Sequence, residues 1–414
     1  MKRLFISLLS LLTLFSCDWC FLQSNSVVAD IEVVYDERVH NDRPSGGFIS
    51  DITITHDDDY FYAISYGKPE DPGLLIRVSK IDGTSLEIPI QPTAVAAGFV
   101  GSRSFNPCQI LLSGSDLLIT TIPDVVSVDF EVLCFNKDTM ILKWLWASND
   151  SDDLRWFTTP VYWNGSVVLA AVEYGVTTHL TFLDCTTGMV QVEREIPESS
   201  LTTIIEPLLN GNNLYLRTSG RPLVIYDLTL AFDTDLPIEQ ARIFSVNTTT
   251  QLGDSTDSAI ITDGERYYVS CDFDLQARLL ASNELVWKNP LERSLDGIWA
   301  PFTLYDGTLL VPADYGCIYR IEAVTGSTLW KKEIRPSTNS YLNLYAQGFV
   351  VQDRWYVQPS HSTSELVILS LDHGCIVARI PCWVSTCNRN GFVEGDDIYM
   401  TTDFQIIKVH LREK

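Results

Sequence analysis

The side chains able to do chemistry are few and scattered. The six histidines stand at positions 40, 56, 179, 361, 373 and 410. The chain has no HExxH helix, no phosphate-cradling GxxxxGK and no GxSxG elbow. Two acidic runs, Asp57-Asp58-Asp59 and Asp150-Ser151-Asp152-Asp153, lack the glycine and terminal glutamate of a calcium loop, and they read as solvated turns. His361 and Glu365 share a Ser/Thr-rich loop and come nearest to an acid–base pair, but no pocket places them. No catalytic, cofactor-binding or metal-ligating residue is assigned, and the chain reads as a non-enzyme without a cofactor.

The cysteines carry a different chemistry. Met1-Lys2-Arg3 is followed by an apolar run from Leu4 to Phe15, broken only by Ser7, Ser10 and Thr13. That run is too short to span a bilayer and has the form of a secretory signal core. It ends in Leu14-Phe15-Ser16-Cys17, which resembles the lipobox of bacterial lipoproteins. The expectation is a signal peptide over 1–16, a lipid on Cys17 and a tether over 17–26. The lipid anchors the end of the chain while the folded part stays aqueous. Asp18 resembles the retention residue that keeps some lipoproteins at the inner membrane. Cys17 and Cys20 form the sole CxxC, and the lipid consumes one member, so a metal or redox role is not expected. Of the nine remaining cysteines, six sit in or beside apolar strand-like runs and read as small core residues. Cys382 and Cys387 enclose four residues and have the spacing to close a hairpin.

The rest of the chain must position whatever function exists. Its 414 residues carry 53 acidic and 29 basic side chains, a net charge of −24. No basic stretch exists to hold a polyanion, which excludes nucleic acid as a partner. A content of 46% hydrophobic residues permits a core. Ten Trp, 17 Tyr and 18 Phe favour strands.

A period organises these strands. A polar turn followed by three strand-prone residues recurs eight times: Phe61-Tyr62-Ala63, Leu117-Leu118-Ile119, Val167-Val168-Leu169, Leu214-Tyr215-Leu216, Tyr267-Tyr268-Val269, Leu309-Leu310-Val311, Trp355-Tyr356-Val357 and Ile398-Tyr399-Met400. Asn164-Gly165, Asn210-Gly211, Asp263-Gly264 and Asp306-Gly307 precede four of them, and such pairs supply the positive φ of tight hairpins. A second strand follows each motif, often running into a Gly turn such as Thr187-Gly188, Thr325-Gly326 or His373-Gly374. His373 takes the place of Thr there and reads as structural. Five residues after the Thr or Ser of three such turns stands a tryptophan: Thr139 leads to Trp144, Ser282 to Trp287 and Thr325 to Trp330. Four-stranded sheets that are apolar on both sides must pack face to face around an axis, and each recurring tryptophan is expected to wedge between neighbours.

The motif resembles the PQQ-like β-propeller repeat, with its Gly-x-Leu-Tyr-Val strand, Ala-x-x-Thr-Gly turn and Leu-Trp ending. The resemblance covers most of residues 50–410, is strongest at 263–331, and fades at 212–250. There Leu236-Pro237-Ile238-Glu239-Gln240-Ala241 suggests an inserted turn of helix. It implies an all-β, eight-bladed propeller over 27–414. The last motif supplies only the later half of a sheet, and Ile31 to Tyr35 is expected to complete it, closing the ring by pairing the two ends. Quinoprotein dehydrogenases share the repeat but are larger and add a vicinal disulfide and a calcium site, and this chain has no adjacent cysteine pair. A signal, a lipidated cysteine and a single propeller together resemble the lipoproteins of the machinery that assembles outer-membrane barrels. The resemblance implies a monomeric, periplasm-facing scaffold in the cell envelope that docks a protein partner. The alternative is an exported propeller that binds a small molecule or polysaccharide in its axial funnel, or a dehydrogenase-like enzyme.

Overall fold

The computed structural model describes residues 27–36, 48–49, 54–66, 73–90, 106–122, 131–147, 155–157, 159–173, 178–196, 207–218, 221–245, 260–271, 274–291, 301–313, 316–334, 347–360, 365–382, 391–401 and 405–414. They form eight separate antiparallel sheets, the blades of a ring. Blade 6 shows the plan: Thr303–Tyr305, Thr308–Ala313, Cys317–Glu322 and Thr328–Glu333 follow one another as a meander. The middle two strands are almost wholly buried, whereas the fourth, outer strand is half exposed.

The three-residue apolar motif now has a physical cause. Successive side chains of a strand point to opposite faces. Leu309 and Val311 pack against blade 5, with Tyr268, Leu275 and Trp287, while Leu310 packs against blade 7, with Tyr356, Val367 and Leu369. Both faces of every sheet meet a neighbour, so the strand has no polar side. Eight apolar cores result, each shared by two consecutive blades. The last joins Tyr35 and Ile406 of blade 8 to Phe61, Ala63 and Ile76 of blade 1, which closes the circle.

Tight turns set the hairpins between first and second strands. Asn164 and Gly165 have φ of 46° and 80°, and Asp306 and Gly307 have 44° and 66°. Two successive residues with positive φ match the right-handed twist of the flanking strands, which explains Asn-Gly and Asp-Gly at these points. Turns between third and fourth strands are held by a side chain that folds back onto the backbone. Asp184 Oδ1 accepts from the N–H groups of Thr186 and Thr187, and Asn136 Oδ1 does the same for Asp138 and Thr139.

Blade 8 draws on both ends of the chain. Gly391–Glu394, Asp397–Thr401 and Gln405–Glu413 supply three strands, and Val27–Asp36 supplies the outer one. The pairing runs from Val27 opposite Glu413 to Asp36 opposite Gln405, with a bulge between Val33 and Tyr35. The paired segment is thus longer than Ile31 to Tyr35.

Blade 4 departs from the repeat. Its third strand, Arg221–Asp227, leads into two short helices, α1 (Leu228–Phe232) and α2 (Ile238–Ala241), before the outer strand Arg242–Ser245. Asp227 caps α1 by accepting from the N–H groups of Thr229 and Leu230. α2 falls where the sequence suggested helix; α1 was not expected. Its apolar Leu-Thr-Leu-Ala-Phe reads equally as strand, because a run this short has no resolvable period.

Candidate functional site

The sequence assigned no catalytic set, so the site is built from the residues that join blades. Trp144 and Trp287 are buried and Trp330 is half-buried, each on the outer strand of its blade. All three make the same contact with the next blade. Trp144 Nε1 donates to Cys185 O at 2.9 Å, Trp287 Nε1 to Ala323 O at 2.9 Å, and Trp330 Nε1 to Leu371 O at 2.7 Å. Each indole lies flat on a turn glycine, respectively Gly188, Gly326 and Gly374. A Cβ placed on those glycines would come within 2.5–2.6 Å of a ring carbon, and all three have φ near +70°. Glycine is required there twice over, for the left-handed backbone and for the ring. The donated hydrogen bond satisfies an indole N–H that would otherwise be orphaned in an apolar seam.

Polar and charged side chains also cross the seams, with or without an indole. In blade 1 the outer strand has no bulge, so Leu86 stands opposite Arg77, and Glu87 accepts from the Tyr35 hydroxyl of the closing strand of blade 8 at 2.8 Å. Arg77 spans the seam to blade 2, donating to Lys137 O and Asp138 O at 3.0 and 2.6 Å. Arg320 crosses from blade 6 in the same way and donates to Leu371 O at 2.8 Å. In blade 3, Arg194 reaches the carbonyls at the end of α1 and before α2, donating to Asp233 O at 2.7 Å and Leu236 O at 2.5 Å.

The acidic run at 57–59 is only partly the solvated turn that the sequence suggested. Asp57 accepts from Lys137 Nζ at 2.5 Å, from the Tyr62 hydroxyl at 3.0 Å, and from the N–H groups of Asp59 and Tyr60. Burial alone would raise its carboxyl, but Lys137 and these donors overcome it and hold the group at about 2. Lys137 lies 80 positions away in the next blade, so no local pattern announces the pair.

Across the closing seam, Lys80 Nζ lies 2.7 Å from Glu394 Oε1 and 3.2 Å from His56 Nδ1. The His56 ring stacks on Phe392 at 3.7 Å. These groups hold blades together and include no nucleophile–base pair.

Other candidates disperse. Glu365 pairs with Arg379 on the neighbouring strand, and His373 sits in the turn between the third and outer strands of blade 7. His361, the acidic run at 150–153, the signal peptide, Cys17 and the tether lie outside the described residues. The Cys382–Cys387 closure that the spacing allowed does not form: Cys382 is a buried free thiol pushed up to about 11 by burial, while among the described residues Cys375 is disulfide-bonded. Spacing along the chain misled because residue 382, just after the outer strand Ile376–Pro381, packs into the seam with blade 8. Cys134 is likewise a buried free thiol, its group pushed up to about 12 by desolvation.

The fold raises the question of a quinone and its calcium ion. Among the described residues no three His, Cys, Asp or Glu side chains come together as a metal site. No helix among the described residues is long and apolar enough to cross a membrane.

No protein-family model and no curated protein sequence matches the chain. Solved structures do. BamB from Moraxella catarrhalis superposes with a TM-score of 0.60 at 12% identity, over 88% of this chain and 98% of that one. A europium-containing methanol dehydrogenase gives 0.60 at 10% identity, over 89% and 84%. A quinohemoprotein alcohol dehydrogenase from Comamonas testosteroni gives 0.61 at 10% identity, over 94% and 76%. Identities this low carry the architecture and nothing finer. With eight seams closed in a circle and three indoles docked on turn glycines, the chain is an eight-bladed β-propeller, similar in fold to these solved structures.

Proposed function

We propose that this protein is an exported lipoprotein, anchored through Cys17, that serves as a non-enzymatic docking scaffold in the cell envelope, in the manner of BamB. The observation that carries the reading is coverage. The propeller accounts for nearly all of the BamB chain, whereas the two dehydrogenases extend beyond the matched region by 16% and 24% of their length. The signal-like N-terminus and Leu14-Phe15-Ser16-Cys17 supply the anchor, and the absence of an adjacent cysteine pair in the sequence weighs against a quinoprotein. A ring of this size offers a flat face wide enough for an interface of ordinary area. A net charge of −24 suits a basic partner.

Affinity purification of the lipidated full chain from detergent-solubilised membranes, with mass spectrometry of its companions, tests this. Recovery of a barrel-assembly subunit supports the scaffold. Its absence, together with quinone absorbance or a thermal shift against a sugar and alcohol panel, favours a ligand in the axial funnel. Intact mass of the mature chain tests the anchor separately: a diacylglyceryl adduct on Cys17 is expected, and an unmodified N-terminus overturns it.

A further inference from the structure

The eight outer strands are not equivalent. Among the described residues no strand pairs with the outer edge of any of them, and native proteins blunt such edges with basic side chains, proline or short length. Seven of them carry such a residue within the strand: Pro89, Lys143, Arg194, Arg242, Lys288, Lys331 and Arg379 in blades 1 to 7. These strands are four to seven residues long. The outer strand of blade 8, Val27–Asp36, has ten residues and no Lys, Arg or Pro. Its bulge falls at one end, leaving Val27 to Val33 regular. Asp30, Ile31, Glu32 and Val33 are exposed in succession, with Ile31 at 40% and Val33 at 49%. Their alternation puts both apolar residues on one face and both carboxylates on the other.

We propose that this edge is a docking strand. It receives an extended segment of a partner polypeptide, alternating apolar and basic residues, as a fifth strand of blade 8. Backbone hydrogen bonds along the open edge supply affinity, as in other strand-addition complexes, while Ile31 and Val33 meet the apolar residues and Asp30 and Glu32 the basic ones. Asp30 already pairs with Arg412 on its own sheet, at 2.7 Å, and that pair is exposed enough to rearrange. Charge argues against a second copy as the occupant. Either antiparallel register that sets Ile31 and Val33 against apolar residues also sets carboxylates against carboxylates, between chains of net charge −24. The inference extends the scaffold reading to one edge but does not depend on which proteins co-purify.

The test uses the full chain in detergent and a fluorescent nine-residue peptide of sequence KVKVTVKVK, followed by anisotropy at low salt. Binding is expected, with the acidic counterpart EVEVTVEVE at least about tenfold weaker. The double variant I31K/V33K gives blade 8 a cationic edge like that of blade 6 and is expected to weaken binding at least about tenfold. Leu329→Lys on the outer strand of blade 6 is expected to change it less than about twofold, since that edge is already guarded by Lys331 and Lys332. Both substitutions fall on exposed residues, and an unchanged melting curve confirms an intact ring. Indifference to I31K/V33K, or equal binding of both peptides, overturns the proposal. So does a dimer in sedimentation that I31K/V33K dissolves, which would assign the edge to a second copy.

Discussion

The seams between blades 5 and 6 and between blades 6 and 7 contrast with the two seams that flank blade 1. In the first pair an indole lies on a turn glycine, its N–H bonded to the carbonyl three residues earlier. Flanking blade 1, the cross-blade work falls to charged groups: Lys80 with Glu394 and Glu87 with the Tyr35 hydroxyl on one side, Lys137 with Asp57 on the other. Both kinds of seam also contain an apolar core. The difference teaches that the repeat fixes where a blade touches its neighbour but not what makes the contact. Apolar locks depend on area and shape and are indifferent to pH and salt. Polar locks near the surface respond to both.

The contrast breaks most readily at the indole. Trp287→Ala is expected to cost about 3–5 kcal/mol, read by denaturant unfolding, because a buried ring is lost from a packed seam. A loss under about 1 kcal/mol would mean that the ring is not wedged. From the other side of the same lock, Gly374→Ala is expected to cost about 2–4 kcal/mol, since its Cβ meets Trp330 at 2.6 Å and its φ is +64°. The pair W330A/G374A should then cost less than the sum of the two, as removal of the ring leaves room for the methyl group.

Smaller effects sharpen the polar side. Asp57→Asn is expected to cost about 1–3 kcal/mol at neutral pH by unpairing Lys137. The sign with pH follows from a carboxyl held at about 2 against an ordinary value of 3.8. Its contribution is present above 3.8 and is lost as the pH falls towards 2. The stability difference between wild type and Asp57→Asn should therefore shrink over that window, whereas the difference for Trp287→Ala should stay flat. Smallest is Lys80→Met, expected at about 1 kcal/mol or less because Glu394 is 42% exposed, with a loss that fades in high salt. A salt-independent loss would instead point to the Lys80 ammonium held over the Phe61 and Phe392 rings.

Much of the architecture is readable before any coordinates, for a physical reason. A strand buried on both faces shows as three consecutive apolar residues, and a type I′ hairpin demands Asn-Gly or Asp-Gly, so Leu309-Leu310-Val311 after Asp306-Gly307 announces a blade by itself. Trp144, Trp287 and Trp330 keep their distance from the turn because each must reach the same carbonyl next door. What eluded the sequence lacks that periodicity. Asp57 reads as one more surface aspartate because its partner is 80 residues away. Cys382 stays a free thiol because spacing along the chain does not say which seam a thiol enters. α1 is invisible because five residues cannot display a helical period. The unguarded edge at 27–36 stands out only once all eight outer strands are compared.

The closed ring is tested most directly by hydrogen exchange of the full chain, followed by mass spectrometry. Amides of Val27–Asp36 and Gln405–Glu413 are expected to be protected together, with the amides of Gln405–Glu413 exchanging as slowly as the middle strands of blades 5 to 7. Exchange of Gln405–Glu413 within seconds, while those blades remain protected, would mean that the first and last strands do not pair and that the ring is open.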